Sequence, residues 1–330
     1  MITYIIIAII LIGIQILYFK LADRFNIIDK PNERSSHNSI TIRGGAIIIP
    51  IALILTIILG ITSWYLVMAI ALVTIVSFID DIKGLHQIPR LLSHLVATLL
   101  IFYATGLIGY SWYIQLIVAI LFIGWINAFN FMDGINGIMV LNGLVSLSTF
   151  YYLSSNANNR ELLIILILSS LVFAFFNVRT KAKTFAGDVG SVALAFIMGY
   201  FMLDLILDSG RWEYILFFSV FGIDSVVTII FRLKNKENIF EAHRSHLYQY
   251  LANELKYSHI TVSFAYALIQ FIINIIVILG IQYKYLNNFT TVLFLLLLGI
   301  IYLLVRRKFK YLIDKRNHGI GNPKKQVTQL

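Results

Sequence analysis

Residues 64–84 read WYLVMAIALVTIVSFIDDIKG, an apolar run that ends in the adjacent aspartates Asp80 and Asp81. An α-helix rises about 1.5 Å per residue, so the run has nearly the length needed to cross the roughly 30 Å hydrocarbon core of a membrane. Carboxylates are costly in lipid and are expected at the membrane surface. The stretch therefore predicts a transmembrane helix with two acidic groups at one end.

Similar apolar runs fill the chain. It has 330 residues, of which 59% are hydrophobic and 13% are charged, whereas a soluble domain has about 25% charged residues. We therefore predict an all-α, polytopic integral membrane protein with about eleven transmembrane helices in one domain over 1–330. The runs are 2–19, 45–62, 64–79, 89–105, 111–126, 138–153, 162–177, 190–207, 212–231, 258–280 and 289–305.

Lysine and arginine are distributed unequally between the two sides of the predicted helices. If the connections alternate between sides, one side holds 23 of the 26 basic residues and the other holds Arg160, Arg211 and Lys284. The positive-inside rule places the basic side in the cytoplasm, together with a basic tail over 306–330. We expect an outside N-terminus and a cytoplasmic C-terminus, and we attribute the net charge of +10 to topology rather than to nucleic-acid binding.

Polar side chains collect on this predicted cytoplasmic side. Asp80 and Asp81 repel each other and lie at the negative end of a helix dipole, so a cation or a basic partner would stabilise them. A solvated helix end is the alternative interpretation. Residues 185–191, FAGDVGS, place Asp188 at the start of another span, where glycines permit close backbone approach and a helix N-terminus attracts anions. Asp188 could instead be a simple N-cap.

Residues 127–137, NAFNFMDGING, join the fifth and sixth spans without a lysine or an arginine. Asn127, Asn130 and Asp133 recur every three residues, so they share one face if the helix continues. Amide and carboxylate oxygens suit a hard cation, a sugar or a base. Asn, Asp and Gly also form ordinary turns, but so polar a segment between two spans favours a functional site.

Asp224 lies inside the ninth span, which makes it a functional candidate, with an ion pair to Arg232 as the structural alternative. The loop that follows contains His243, Arg244 and His246. The two histidines lack a third zinc ligand, and the chain has no cysteine, so we expect this loop to hold phosphate oxygens rather than zinc.

Three further basic candidates lie in the inner loops. His37 and Arg43 belong to the first inner loop, and Lys183 precedes Asp188. Next to the carboxylates, these side chains predict a site for phosphate and metal. Topology alone is the alternative explanation for basic residues in these loops.

Taken in order, these motifs resemble the polyprenyl-phosphate N-acetylhexosamine-1-phosphate transferases, the MraY/WecA-type superfamily. The resemblance covers 29–249, and the last two spans match it only in hydropathy. Residues 242–249 are similar to the WbpL-like branch that starts O-antigen or capsule chains. The motifs are Asp29-x-Pro31, Gly44-Gly45, Asp80-Asp81-x-x-Gly84-Leu85, Asn127 to Gly134, Ala182 to Ser191 and Ala242 to Gln249.

The resemblance implies a bacterial cytoplasmic membrane enzyme whose active site faces the cytoplasm. It would transfer a sugar-1-phosphate from a UDP-N-acetylhexosamine to undecaprenyl or another polyprenyl phosphate, releasing UMP. Mg²⁺, or Mn²⁺ in its place, would be the cofactor, and membrane lipid would surround a chain that could form a homodimer. The implied catalytic residues are Asp80, Asp81, Asp133 and Asp188, with Asp188, Asp80 and Asp81 on the metal. The implied substrate-binding residues are Asn127, Asn130, Asn136, Lys183, His243, Arg244, His246, His37 and Arg43.

One residue departs from the family pattern. The family's loop reads Asp-Gly-x-Asp-Gly, whereas Asn136 occupies the position of the second acid. An asparagine cannot supply that charge or transfer a proton. It can coordinate through its oxygen, or it can donate its N–H₂ group to the substrate, and the neighbouring glycines favour donation.

Other classes of protein remain as alternatives on the residues alone. A secondary transporter for an anionic substrate also has polar groups between spans, but these usually lie near the midplane, where only Asp224 is a candidate. A zinc-dependent or intramembrane hydrolase requires a ligand triad or a nucleophile dyad, and the sequence shows neither. A non-catalytic scaffold does not require four aspartate motifs on one face.

Overall fold

The computed structural model describes residues 2–31, 40–238 and 244–320, with side chains as far as Arg316. We label its helices α1 Ile2–Arg24, α2 Ile48–Leu55, α3 Trp64–Lys83, α4 Gln87–Thr105, α5 Trp112–Phe131, α6 Ile138–Leu153, α7 Ala157–Asn177, α8 Gly187–Ser209, α9 Ser219–Lys234, α10 Leu247–Gln249, α11 His259–Gln282 and α12 Asn288–Ile320. Two short strands, β1 Ile28–Asp29 and β2 Thr41–Ile42, complete the regular structure.

The helices confirm an all-α, polytopic membrane protein. Over the described ranges, nine helices are long and apolar enough to cross a membrane, and two shorter apolar helices, Gly45–Leu55 and Ile138–Leu153, lie at the second and sixth predicted spans. The second span was predicted over 45–62, but its helix ends at Leu55 and successive turns continue to Gly60. The ninth span begins as a 3₁₀ helix, Trp212–Phe218, before α9.

Helix α8 forms the centre of the helix bundle. Every residue from Val189 to Leu203 is buried, and the helix packs against α3, α5 and α6. Small residues allow neighbours to approach closely, as where the ring of Phe122 lies against Gly199. Because α8 is buried, the position of its first turn, which contains Asp188, is fixed.

The first inner loop is fastened to the start of α8 by backbone hydrogen bonds. Strands β1 and β2 pair antiparallel, and Ile42 also bridges Thr184. Phe185 N donates to Ile42 O at 2.8 Å, and Gly45 N donates to Phe185 O at 2.8 Å. These bonds hold the two intervening residues, Arg43 and Gly44, beside the start of α8.

Helix α12 does not end where the basic tail is predicted to start. It continues as one helix through Arg306 to Ile320. Arg306 is 6% exposed, and its guanidinium donates to Thr228 Oγ1 of α9 at 2.8 Å. The first residue of the predicted tail is therefore packed inside the protein.

Candidate active site

Carboxylates from two helices meet at one end of the bundle. Asp81 lies in the last turn of α3, and Asp188 lies in the first turn of α8. The Asp81 carboxylate accepts from the backbone N–H groups of Asp188 at 3.1 Å and Val189 at 3.0 Å. The helix N-terminus predicted to attract an anion thus binds a carboxylate of the chain itself, which joins the two acidic motifs.

Glycine makes this approach possible. Gly187, at the start of α8, has a φ of +71°, a conformation that other residues adopt only with strain. A Cβ atom there would lie 2.9 Å from the backbone of Gly44, in the first inner loop. Gly187 thus permits a close contact within the protein itself, and the predicted approach to a ligand stays a prediction.

Two arginines pair with the carboxylates. Arg43 Nε lies 2.8 Å from Asp81 Oδ1. Arg90, near the start of α4, bridges two acids, with its two terminal nitrogens 3.1 Å from Asp80 Oδ2 and 3.2 Å from Asp188 Oδ2. Burial lowers the pKa of the Arg43 guanidinium, but the charges of Asp81 and Asp188 raise it by more, so its pKa lies above the ordinary value. Both arginines thus form ion pairs with the carboxylates of α3 and α8.

Arg90 is a site residue that the sequence analysis missed. It lies in the same predicted cytoplasmic loop as Asp80 and Asp81, where the positive-inside rule already explains a basic residue. Arg90 lies in α4, beyond the end of α3 at Lys83, so no helical spacing in the sequence links it to Asp188. Only the packing of α3, α4 and α8 brings the three side chains together.

The asparagine motif supplies the next part of the site. Asn130 Oδ1 accepts from Ser191 Oγ of α8 at 2.7 Å, and the Asn130 side chain also hydrogen-bonds the Asp188 carboxylate. Helix α5 ends at Phe131, so Asp133 stands in the following turn, with its N–H donating to Asn130 O at 3.1 Å. The predicted helical face therefore stops at Asn130, and Asp133 reaches the site from a turn.

The pKa of Asp133 is raised by its surroundings. Burial, followed by the charges of Asp188 and Asp81, raises the pKa of the Asp133 carboxyl to about 7, although Arg43 opposes the shift. At Asp133, the charges of Asp188 and Asp81 therefore outweigh the charge of Arg43. We name Asp80, Asp81, Asp133 and Asp188 together the acidic cluster.

The donor chemistry of the acidic cluster fits a hard divalent cation. Its oxygens are the ligands that Mg²⁺ prefers, and its surplus charge would favour a bound cation. Within the described residues, no three His, Cys, Asp or Glu side chains are grouped as metal ligands. Asp80 and Asp188 are joined by Arg90 instead. The metal roles of Asp188, Asp80 and Asp81 stay predictions.

Two of the predicted substrate-binding residues have contacts away from the cluster. Asn127 donates from Nδ2 to Ile123 O, one turn earlier in α5, at 2.9 Å. Lys183 Nζ lies 4.8 Å from the ring centre of Phe19 and 5.6 Å from that of Phe176, which are cation–π contacts between α1 and α7. Their roles toward a substrate stay predictions.

Asn136 uses its amide inside the protein. It is 6% exposed, and its Nδ2 donates to the carbonyl oxygen of Arg179 at 2.8 Å. Its own carbonyl oxygen accepts from Ser263 Oγ of α11 at 2.8 Å. The N–H₂ group therefore donates to the backbone, and its predicted donation to a substrate stays a prediction. An aspartate could not make this bond, which gives a physical reason for the departure from the family pattern.

The remaining predicted residues lie in the first and last inner loops. His37 and His243 lie outside the described residues, and Arg244 is half-buried. His246 is 1% exposed, and its Nδ1 lies 3.1 Å from Asp224 Oδ1. Phosphate binding by these residues stays a prediction.

Asp224 does not pair with Arg232, the structural alternative considered from sequence. Arg232 Nε lies 3.1 Å from Glu237 Oε2 at the end of α9. Asp224 is instead surrounded by donors from α9, the segment before α10, α11 and α12, which include His246, Tyr266 and Tyr302.

Comparison with known proteins identifies a family for the central part of the chain. Residues 63–206 match the sequence model described as glycosyl transferase family 4. This segment contains all four aspartates of the acidic cluster. The resemblance to the polyprenyl-phosphate N-acetylhexosamine-1-phosphate transferase superfamily is confirmed by this match and by the names of similar proteins.

Two such relatives illustrate the extent of the similarity. A phospho-N-acetylmuramoyl-pentapeptide-transferase of Lactococcus lactis subsp. cremoris (strain MG1363) is 26% identical over 197 residues, which cover 52% of this chain and 57% of the relative. A probable undecaprenyl-phosphate N-acetylglucosaminyl 1-phosphate transferase of Bacillus subtilis (strain 168) is 24% identical over 257 residues, or 70% and 71% of the two chains. The chain thus spans little more than half the length of the first relative.

Proposed function

We propose that this protein transfers a sugar-1-phosphate of the N-acetylhexosamine type from a UDP-sugar to a polyprenyl phosphate such as undecaprenyl phosphate. An oxygen of the polyprenyl phosphate attacks the β-phosphorus of the UDP-sugar. The bond from that phosphorus to the bridging oxygen breaks, and UMP leaves with the electron pair. The products are a polyprenyl-diphosphate-sugar and UMP, and the reaction would start a cell-surface glycan.

One observation carries the proposal. At one end of the helix bundle, the Asp81 carboxylate accepts a hydrogen bond from the backbone N–H of Asp188, although the two helices are far apart in the sequence. Arg43 pairs with the carboxylate of Asp81, and Arg90 pairs with that of Asp188. A transfer between two phosphate-bearing substrates requires positive charge and fixed positions more than it requires a protein nucleophile. A cluster of acids and arginines at a membrane end supports that chemistry for a lipid acceptor and a soluble donor.

The roles within the site follow from its charges. Asp188, with Asp80 and Asp81, would hold Mg²⁺, which would neutralise the diphosphate and assist departure of UMP. Arg43 and Arg90 would bind phosphate oxygens when the cation takes the carboxylates. A phosphate monoester has a second pKa of about 6 and is largely ionised near neutral pH, so we assign no aspartate as a base. Asn130 would hold Asp188 in place for the nucleotide-sugar.

The site geometry supports an enzyme over a transporter of an anionic substrate. A transporter would place its binding groups near the middle of the membrane, in broken helices. The acidic cluster lies instead at helix ends and in the turn after α5. Asp224, the candidate within a span, is fully buried and accepts hydrogen bonds from the protein.

The sugar and the pathway form the finer part of the proposal. Tyr248 and Gln249 stand where other branches of the family usually have histidines, which favours the branch that starts O-antigen or capsule chains. In this structure Gln249 caps the same short helix that His246 begins, since Gln249 Oε1 accepts from His246 N at 3.2 Å. A UDP-N-acetylhexosamine is the donor class that we propose.

The test is an assay of UMP release by the purified protein. Undecaprenyl phosphate and Mg²⁺ would be supplied with each of a panel of UDP-sugars, including UDP-N-acetylglucosamine and UDP-N-acetylgalactosamine. We expect UMP and a lipid-linked sugar with at least one donor, and no UMP when the lipid is omitted or the cation is chelated. Uptake of the UDP-sugar into protein-containing vesicles, without UMP, would favour the transporter.

The cytoplasmic position of the site is part of the same proposal. It rests on the distribution of lysine and arginine, which places Asn156 outside and Asn235 inside. Both residues are exposed, and the natural chain has no cysteine, so a single introduced cysteine can be labelled without interference. In intact cells an impermeant thiol reagent should label Asn156→Cys and not Asn235→Cys. The opposite labelling pattern would place the site outside.

A further inference from the structure

Asp224 is a buried carboxylate with an unusual number of donors. It is 0% exposed and sits in the middle of α9. Its Oδ2 accepts from Tyr266 of α11 at 2.7 Å, and its Oδ1 accepts from Tyr302 of α12 at 2.9 Å. Further donors to Oδ1 are Thr228 Oγ1 at 3.3 Å, Leu247 N at 3.2 Å and the ring of His246 at 3.1 Å.

The last helix supplies the balancing charge. The Arg306 guanidinium donates to the Tyr302 hydroxyl at 2.9 Å and to Thr228 Oγ1 at 2.8 Å, so it reaches Asp224 through two hydroxyl groups. It also lies over the rings of Phe231 and Tyr250, at 5.2 Å and 5.3 Å from their centres. A buried carboxylate is tolerated when hydrogen bonds and a nearby cation satisfy it. Removing one donor from α12 therefore affects the whole network.

The network continues from Asp224 to the segment before α10. Leu247 and His246 both bind the carboxylate, and the His246 ring stacks on the ring of Tyr248, with centres 5.7 Å apart. Tyr248 is 0% exposed. Burial, followed by the charges of Asp224 and Asp133, raises the pKa of the Tyr248 phenol well above its ordinary value, so its hydroxyl stays protonated and able to donate.

Tyr248 reaches the turn that carries Asp133. Its hydroxyl donates to the carbonyl oxygen of Phe131 at 2.9 Å. It also lies directly against Gly134, where a Cβ atom would overlap it. The residues on either side of Asp133 are thus in contact with one phenol. Contacts thus lead from Tyr302 through Asp224, His246 and Tyr248 to the residues that flank Asp133.

We propose that Asp224 is a positioning residue, through which the last two helices fix the turn 131–134 and hence the Asp133 carboxylate. Helices α11 and α12 lie outside 63–206, the segment that matches the family model, so their contribution to the site is a property of this chain's own C-terminal part. The effect on catalysis rests on the proposed function. The effect on the turn does not, because it is a property of the folded protein.

The test uses Tyr302→Phe, which removes one donor to Asp224 from α12, a helix that supplies none of the four aspartates of the acidic cluster. Tyr311→Phe is the matched control, since Tyr311 is on the same helix and is 65% exposed. Tyr248→Phe, which removes the direct bond to Phe131, shows the response expected when the turn itself is released. Hydrogen–deuterium exchange of 131–137, with 189–203 of α8 as an internal reference, reports the state of the turn.

We expect Tyr302→Phe to accelerate exchange in 131–137 on the order of tenfold, in the same direction as Tyr248→Phe, while Tyr311→Phe and the α8 reference stay unchanged. Faster exchange confined to α12 and α11, with 131–137 unchanged, would overturn the inference. Equal acceleration over the whole chain would show general destabilisation and would overturn it as well.

A kinetic measurement separates this inference from the proposed function. If wild-type protein releases UMP, Tyr302→Phe should raise KM for the UDP-sugar several-fold with little change in kcat, because the turn must be ordered again on binding. An unchanged KM together with accelerated exchange would show that the order of the turn does not affect binding of the UDP-sugar, which contradicts the positioning role of Asp224. If wild-type protein releases no UMP, the proposed function fails, and the exchange experiment still decides whether Asp224 positions the turn.

Discussion

Among the described residues, the acidic cluster and the single carboxylate of Asp224 form two groups whose charges are balanced in different ways. In the acidic cluster, Arg43 and Arg90 pair with Asp81, Asp80 and Asp188, and burial, followed by the charges of Asp188 and Asp81, raises the pKa of Asp133 to about 7. At Asp224, a single carboxylate accepts from five protein donors. The first group has charge left for a ligand to neutralise, whereas the second is satisfied by the protein.

This difference in charge balance distinguishes the acidic cluster, a candidate binding site, from Asp224, a carboxylate that supports the structure. Surplus negative charge at helix ends is unfavourable for folding and is expected where a cation or a cationic side chain acts on a substrate. A satisfied carboxylate stabilises its surroundings and has little capacity for a ligand. The sequence alone shows only that the acidic cluster and Asp224 lie near or within predicted spans. The hydrogen-bond and ion-pair partners in the structure distinguish the two groups.

The largest expected effect is on activity in the acidic cluster. Asp188→Asn removes the charge that would hold the cation, so kcat should fall on the order of a thousandfold, or about 4 kcal/mol in the barrier. The thermal midpoint should stay the same or rise, because a repelling charge is lost. Asp208→Asn is the control, since Asp208 is exposed at the other end of α8. Full activity of Asp188→Asn in Mg²⁺ would remove the metal role of Asp188.

The opposite result is expected at the second group. Asp224→Asn places an N–H₂ group among donors and removes the charge that Arg306 and His246 face, which should cost about 3 kcal/mol of stability. We expect a clear fall in the thermal midpoint in detergent, and the protein that stays folded should show the same rise in KM as Tyr302→Phe. Unaltered stability of Asp224→Asn would contradict the description of a satisfied carboxylate.

A smaller effect is expected at Asn136, in the loop that follows Asp133. Asn136→Asp sets a buried carboxylate against the carbonyl oxygen of Arg179, so the variant should lose about 2 kcal/mol of stability. Asn158→Asp, an exposed change in the first turn of α7, should leave the midpoint unchanged or slightly raised. A midpoint for Asn136→Asp at or above that of the wild type would show that the bond to Arg179 contributes nothing.

The smallest effect is a release of protons. At pH 7 the Asp133 carboxyl, with a pKa of about 7, is half protonated, and a cation bound beside it lowers that pKa. Mg²⁺ binding should therefore release about half a proton from Asp133 at pH 7 and almost none at pH 9, where the group is already ionised. Calorimetry in buffers of different ionisation enthalpy measures the number. Equal release by wild type and Asp133→Asn would show that Asp133 does not sense the cation.

Much of the fold could be predicted from hydropathy, because each span is a long local run. The elements that carry the site were also predicted, since Asp80, Asp81, Asp133 and Asp188 all stand at span ends of matching parity. Arg90 was not predicted because its contacts depend on how α4 packs beside α3 and α8. A lone arginine at a span end is what topology already requires.

The Asp224 network was missed for a similar reason. Tyr302 lies in a helix whose other side chains largely face outward, and its hydroxyl gives no periodic signal in the sequence. Arg306 lies where a basic tail was predicted, yet it is buried against α9. The acceptor of Asn136, a backbone carbonyl of a distant loop, is likewise invisible to a motif. Long-range contacts between one side chain and one atom require the three-dimensional structure.

The fate of the β-phosphorus tests the central claim most directly. UDP-N-acetylhexosamine labelled with ³²P at the β-phosphate is incubated with the purified protein, Mg²⁺ and undecaprenyl phosphate, and the lipid and aqueous phases are counted. We predict label in the lipid phase, equal in amount to the UMP released, and loss of both in Asp188→Asn. Label that stays in water as UDP or inorganic phosphate, with sugar alone on the lipid, would contradict transfer of a sugar-1-phosphate.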